Sequence, residues 1–209
     1  MEREAIPAER VVRVRVHYDF ASSLCYVAHR VMQRMHCTLA ELGLALEWSP
    51  LDLAALVGPY RAGAKVSEPR RENARRVASE LGVAVAVPHV WPDTRAANAA
   101  AFCAERAGRG ATWRERVFTA VFEEGRHSLG DAEVLALARE HELAFDARDL
   151  ARGRRELELR TELAREEQVS GVPTFMLGTW PFGGIQTDDT MRRVLERFAR
   201  KARTGELLE

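Results

Sequence analysis

Residues 11–20, VVRVRVHYDF, alternate in character: Val12, Val14, Val16 and Tyr18 fall on one side, Arg13, Arg15 and His17 on the other. A period of two describes a β-strand with one polar face. From Leu24 to Leu42 the interval changes, because Val27, Val31, Met35, Leu39 and Leu42 recur at helical spacing and Gly43 supplies a stop. LALEWSPL then alternates again until Pro50 ends the run. Strand, one long helix, strand over residues 11–50 is a βαβ unit, parallel and right-handed by default. A chain that opens this way belongs to the α/β class.

Residues 51–168 read as predominantly helical. PRRENARRVASELG and TRAANAAAFCAERAG are amphipathic and closed by glycine, with the short apolar run VAVAVP between them. ATWRERVFTAVFEEG, GDAEVLALAREHEL and ELELRTELAREEQ continue the helical spacing, with Asp131 suited to an N-cap and Gly125 to a stop. After Gly171 the texture reverts: VPTFMLG is a short apolar strand, TWPFGG a turn leading into another strand, and TDDTMRRVLERFARKAR a closing helix capped by Thr187 or Asp188. A βαβ start and a ββα finish therefore enclose a helical block. The domain reading is 11–50 plus 169–203 for the α/β part and 51–168 for the helical insertion.

Thirty-one acidic residues balance 31 basic ones, so charge gives no argument for a nucleic-acid or membrane partner. A homodimer is left open. The basic residues are arginine except for Lys65 and Lys201. MEREAIPAER lacks an apolar leader core and no stretch approaches a membrane span, which makes a cytoplasmic location the default. The three cysteines, Cys25, Cys37 and Cys103, form no CxxC pair and read as free thiols.

With Ser22-Ser23-Leu24-Cys25 opening a helix early and Gly171-Val172-Pro173-Thr174 late, the chain resembles the DsbA-like branch of the thioredoxin superfamily. That resemblance, which runs from about residue 11 to 203, implies a thioredoxin-like fold interrupted by an all-helical domain. The family's first strand commonly ends in DF, as Asp19-Phe20 does here, followed by CPxC and an aromatic residue, here Tyr26. Two subgroups are similar: FrnE-like oxidoreductases, which keep CPxC, and 2-hydroxychromene-2-carboxylate isomerases with kappa-class glutathione transferases, where serine replaces the first cysteine. Ser22 matches the second group, while the retained Cys25 and the segment Gly183-Gly184-Ile185-Gln186 lean toward the first. Ser23 stands where the family has proline. The resemblance implies a small-molecule or thiol substrate as partner, a cis Pro173 beside the reactive centre, glutathione as co-substrate, and Ser23, Val172, Pro173 and Gln186 as residues near it.

A helix amino terminus stabilises an anion, and a cysteine there has a lowered pKa. Serine does not ionise near neutral pH without a base. Ser22 can cap the helix, and it can also donate a hydrogen bond to a thiolate carried by another molecule. Cys25, facing inward in the first turn, is either a small buried apolar residue or a lone thiol able to exchange with glutathione. Cys25, His29 and His36 share a helical face but lack the local pairs of a metal site, so no metal is expected. Cys37 and Cys103 read as helix core positions, the RR and RGRRE clusters as solvated faces, and Trp180 and Phe182 as a pocket lining or core. Three functions follow. The leading one is a DsbA-family oxidoreductase-like protein with SxxC in place of CxxC, catalytic through Ser22 and Cys25. The alternatives are a glutathione-dependent isomerase or transferase, and a non-catalytic binding module.

Overall fold

The opening alternation forms strand β1 (Val12–Tyr18) and the second alternation forms β2 (Leu44–Pro50), in a computed structural model that describes residues 11–58 and 60–205. MEREAIPAER, read above as having no leader core, lies outside the described residues. Late in the chain come β3 (Thr174–Leu177) and β4 (Trp180–Gly183). The four strands make one mixed sheet in the order β2-β1-β3-β4. β1 and β2 run parallel, with Val14 opposite Leu46, while β3 is antiparallel to both β1 and β4. TWPFGG is thus itself the last strand rather than a turn before one, and it forms the sheet edge.

The spacing from 24 to 42 predicts one helix, and the structure has two, α1 (Ser23–Arg34) and α2 (His36–Glu41). Met35 sits between them with φ −85° and ψ 7°, its N–H still bonded to the Val31 carbonyl at 3.1 Å. Its side chain stays buried. The apolar spacing therefore runs on through Met35 while the helix axis does not. Cys37, two residues from both Met35 and Leu39 and so on the opposite side of the helix, is exposed rather than part of the core, whereas Cys103 is buried. The helical face that Cys25, His29 and His36 share in the sequence is divided as well: His29 is buried on α1 and His36 is exposed on α2.

Among the described residues, six helices lie between β2 and β3: α3 (Leu53–Val57), α4 (Glu68–Glu80), α5 (Arg95–Arg106), α6 (Gly110–Phe122), α7 (Asp131–Glu140) and α8 (Ala147–Glu166). Gly130, not Asp131, occupies the N-cap position of α7, and Asp131 is its first helical residue. The closing helix α9 (Asp188–Thr204) is capped by Thr187, whose hydroxyl accepts from the Thr190 N–H at 3.4 Å. α5 and α8 approach so closely that a Cβ on Gly153 would meet the Ala99 carbonyl oxygen at 2.3 Å. Only glycine fits in that crossing.

One apolar cluster joins the sheet to the helices, combining Val14, Val16 and Tyr18 of β1 with Val27 and Val31 of α1 and with Trp113, Phe118 and Phe122 of α6. Aromatic edges tie it together, with ring centroids 5.1 Å apart for Tyr18 and Phe20 and 4.9 Å for Phe20 and Phe118. The predicted polar face of β1 is polar but not open along its length. Arg13 is exposed, yet His17 is buried, its Nε2 3.2 Å from Glu167 just beyond α8. Alternation reports the polarity of a face, not whether another element covers it.

Candidate active site

The turn between β1 and α1 is held by one carboxylate. Asp19 is buried, and its Oδ1 accepts from the Ala21 N–H at 2.8 Å, the Thr94 hydroxyl at 3.0 Å and the Asn98 amide at 2.9 Å. Its Oδ2 accepts from the Leu53 N–H at 2.8 Å. Asn98 in addition accepts from the Phe20 N–H at 3.2 Å. The end of β1, the start of α3 and the start of α5 therefore converge on a single side chain. Burial pushes the Asp19 carboxyl above its ordinary pKa, against the pull of the Ala21, Asn98 and Leu53 donors.

That turn delivers Ser22 to the head of α1. Ser22 has extended backbone (φ −91°, ψ 114°), and its hydroxyl oxygen accepts from the Cys25 N–H at 3.3 Å, an N-cap of ordinary kind. No acidic residue lies in the first turn of the helix, and the nearby Asp19 carboxylate is directed to the Ala21, Thr94, Asn98 and Leu53 donors. Ser22, Ser23 and Leu24 face a cavity of about 210 Å³. Ser170, Gly171 and Val172, leading into β3, form a second wall.

The third wall comes from the helical segment. Residues 63–66 pair with residues 89–91 through Gly63 N–H to Trp91 O, Trp91 N–H to Ala64 O and Val66 N–H to His89 O, each at 2.8 Å. This crossing presents the Tyr60 and Trp91 rings edge to face, with centroids 4.6 Å apart. The Arg70 guanidinium lies 4.8 Å from the Tyr60 centroid and 5.9 Å from that of Trp91, and its Nη1 donates to the Tyr60 oxygen at 2.6 Å. Among the described residues Arg70 has no carboxylate partner, and it is the sole charged side chain lining this cavity.

Of the residues singled out in the sequence, Ser22, Ser23 and Val172 come together in the cleft. Pro173 lies immediately behind it, buried, with a cis Val172–Pro173 bond and its carbonyl accepting from Gly184 N–H at 2.7 Å. Cys25 is fully buried and lines no part of the cleft. Burial pushes its thiol up to about 12, with the Ser22 hydroxyl pulling the other way. Gln186 is exposed and outside the cleft walls. Among the described residues no histidine, lysine or carboxylate lines the cavity, so it offers anion-stabilising groups and neither a general base nor a thiolate. Arg70 was hidden in an RR pair that reads as a solvated face, and Tyr60 and Trp91 carried no motif. Asp19 had a signal: an acid closing a strand directly before a helix cap.

The family model of the DSBA-like thioredoxin domain matches residues 13–196. No curated protein sequence matches significantly. Among solved structures, a 2-hydroxychromene-2-carboxylate isomerase superposes with a TM-score of 0.69 at 21% identity, covering 95% of this chain and 100% of its own. The cytosolic disulfide reductase DsbM from Pseudomonas aeruginosa, solved with GSH, gives a TM-score of 0.64 at 19% identity over 90% of this chain and 100% of its own. At such identities the likeness is one of fold. Among the described residues no helix is long and apolar enough to cross a membrane.

Proposed function

From the premise that the chain belongs to the DSBA-like thioredoxin domain family, we propose that it is a glutathione-dependent isomerase or transferase in which the thiolate of glutathione lies at the head of α1 facing Ser22. The observation that carries this reading is the contrast within one motif: Ser22 lines the cleft while Cys25 is sealed behind it with its thiol pushed up. A site with an open hydroxyl, a helix amino terminus and an arginine that has no carboxylate partner is suited to hold an anionic sulfur brought from outside. Isomerisation at such a site proceeds by addition and elimination. The glutathione thiolate forms a C–S bond at the electrophilic carbon of an α,β-unsaturated acid, and the double-bond electrons move onto the conjugated carbonyl. Rotation about the resulting single bond follows, and the C–S bond then breaks to return the thiolate and the rotated alkene. The Val172 N–H and C=O flank the cysteine backbone of glutathione in strand-like fashion, and Arg70 takes a carboxylate. The likeness to two solved proteins, one a 2-hydroxychromene-2-carboxylate isomerase and the other a cytosolic disulfide reductase solved with GSH, supports the reading, which belongs in a reducing, cytoplasmic setting.

The test is calorimetric titration of reduced glutathione into the wild-type protein, Ser22→Ala and Cys25→Ser, with turnover of an α,β-unsaturated aromatic acid measured alongside. A hydrogen bond to a charged group contributes about 1.5–3 kcal/mol, so Ser22→Ala weakens thiolate binding about 10- to 150-fold. Cys25→Ser leaves both affinity and turnover close to wild type. Turnover that survives Ser22→Ala but is abolished by Cys25→Ser would sink the proposal in favour of redox chemistry at Cys25. Absence of glutathione binding to the wild type would leave a non-catalytic module.

A further inference from the structure

A second recess lies apart from the cleft, between the sheet edge and α9. Its cavity measures about 400 Å³ and is lined by Leu177, Trp180, Val194, Arg197, Phe198 and Lys201, none of which lines the Ser22 cleft. Leu177 and Phe198 form a buried apolar floor. Trp180 is 59% exposed, more than any other large apolar side chain among the described residues, and its ring is held 5.7 Å from that of Phe182. An indole fixed by a neighbouring ring and left open on its other side is a binding surface rather than core.

The rim is charged with one sign. Arg197 and Lys201 stand one turn apart on α9, and among the described residues neither has a carboxylate within 4.0 Å. Among the described residues many arginines of other elements do have one, as Arg30 with Glu115 and Glu123, Arg34 with Asp188, and Arg106 with Glu156, whereas the arginines of α9 do not. The helix dipole accounts for Lys201 in the last turn of α9, but Arg197 lies before that turn. Two like charges at i, i+4 repel each other when no anion lies between them. The strand edge itself is a poor template for another strand, because β4 has four residues and one of them, Pro181, lacks an N–H.

We propose that this recess binds a small aromatic monocarboxylate, its ring against Trp180 over Leu177 and Phe198, and its carboxylate between Arg197 and Lys201. An apolar concavity with two convergent cations fits an amphipathic anion, and the guanidinium fork fits a carboxylate. The site is independent of glutathione binding at Ser22 and stands or falls separately.

The probe is 2-naphthoate, with neutral 2-naphthamide as control, titrated calorimetrically into wild type, Trp180→Ala, the double variant Arg197→Gln/Lys201→Gln, and Arg70→Gln in the cleft. The expected result is saturable binding of naphthoate that weakens at least about tenfold in the double variant and also weakens in Trp180→Ala. Arg70→Gln leaves it unchanged, and naphthamide binds wild type no better than naphthoate binds the double variant. All four altered side chains reach solvent, and thermal melting confirms that each variant folds. Naphthoate binding lost in Arg70→Gln but kept in the double variant would assign the probe to the cleft and overturn the proposal. So would an absence of saturation, or wild-type self-association that Trp180→Ala abolishes, which would make the recess a contact between copies.

Discussion

Replacing Asp19 by asparagine isolates the side chain on which the cleft is assembled. The volume is kept, the charge is removed, and one oxygen becomes an NH₂ group. Three donors converge on Oδ1 and only the Leu53 N–H on Oδ2. The amide therefore keeps its oxygen toward Ala21, Thr94 and Asn98 and turns its NH₂ toward Leu53. Two donors then face each other where 2.8 Å separated donor from acceptor. Leaving that buried N–H unsatisfied costs about 1–3 kcal/mol, and three charge-assisted bonds become neutral ones at roughly half their strength. Part of this is offset, because burial already disfavours the charge on Asp19. The net expectation is a loss of about 2–4 kcal/mol, read as a lower urea midpoint at unchanged m-value. Since Leu53 and Ala21 line the cleft, glutathione affinity falls with it. Asp19→Ala, which orphans all four donors, loses more. A loss under about 0.5 kcal/mol for Asp19→Asn, within the range of ordinary surface substitutions, would refute the idea that this carboxylate organises the turn.

Two further outcomes follow from the packing. Gly153→Ala places a methyl carbon 2.3 Å from the Ala99 carbonyl oxygen; backbone opposes it, so α5 and α8 must separate at a cost of about 1–3 kcal/mol, and a melting temperature equal to wild type would contradict the crossing. His29 is held neutral, burial taking its pKa from 6.5 down to about 4, with the Glu115 carboxylate 2.8 Å away favouring the charged form less strongly. Between those values the unfolded chain takes up a proton that the native one resists. Its contribution is therefore complete above pH 6.5 and lost as pH falls toward 4, on the order of 3 kcal/mol at most. Denaturation of wild type and His29→Gln at pH 7 and pH 4.5 should give a smaller pH dependence for the variant, and equal slopes would count against a neutral His29.

The order of elements was legible along the chain because each one presents its apolar residues at its own period. The alternation of β1 and β2, the i, i+4 spacing of α1 and the polar–apolar faces of α5, α8 and α9 are local facts. The break at Met35 was not legible, since a buried methionine satisfies the helical spacing whether or not the axis bends there. Cys37 was misjudged for a different reason: it stands two residues from both Met35 and Leu39, about 200° round the helix from each, so the period itself already placed it off the apolar stripe. His17 went the other way, a polar residue on a polar face that Glu167, from far along the chain, came to cover.

The site divides along the same line. The sequence by itself determined that a hydroxyl, not a thiol, stands at the head of α1, because a helix cap and its neighbours are set within a few residues. It also determined that Val172 and Pro173 enter a short apolar strand. Only the tertiary structure decided that Ser22 faces a cleft from which the inward-facing Cys25 is sealed, and that Arg70, Tyr60 and Trp91 complete the opposite wall. The pairing of residues 63–66 with 89–91 brings those three together, and that pairing depends on how the helical block closes against the sheet. Periodicity assigns a residue to a face of its own element. What lies across from that face is fixed by long-range contacts.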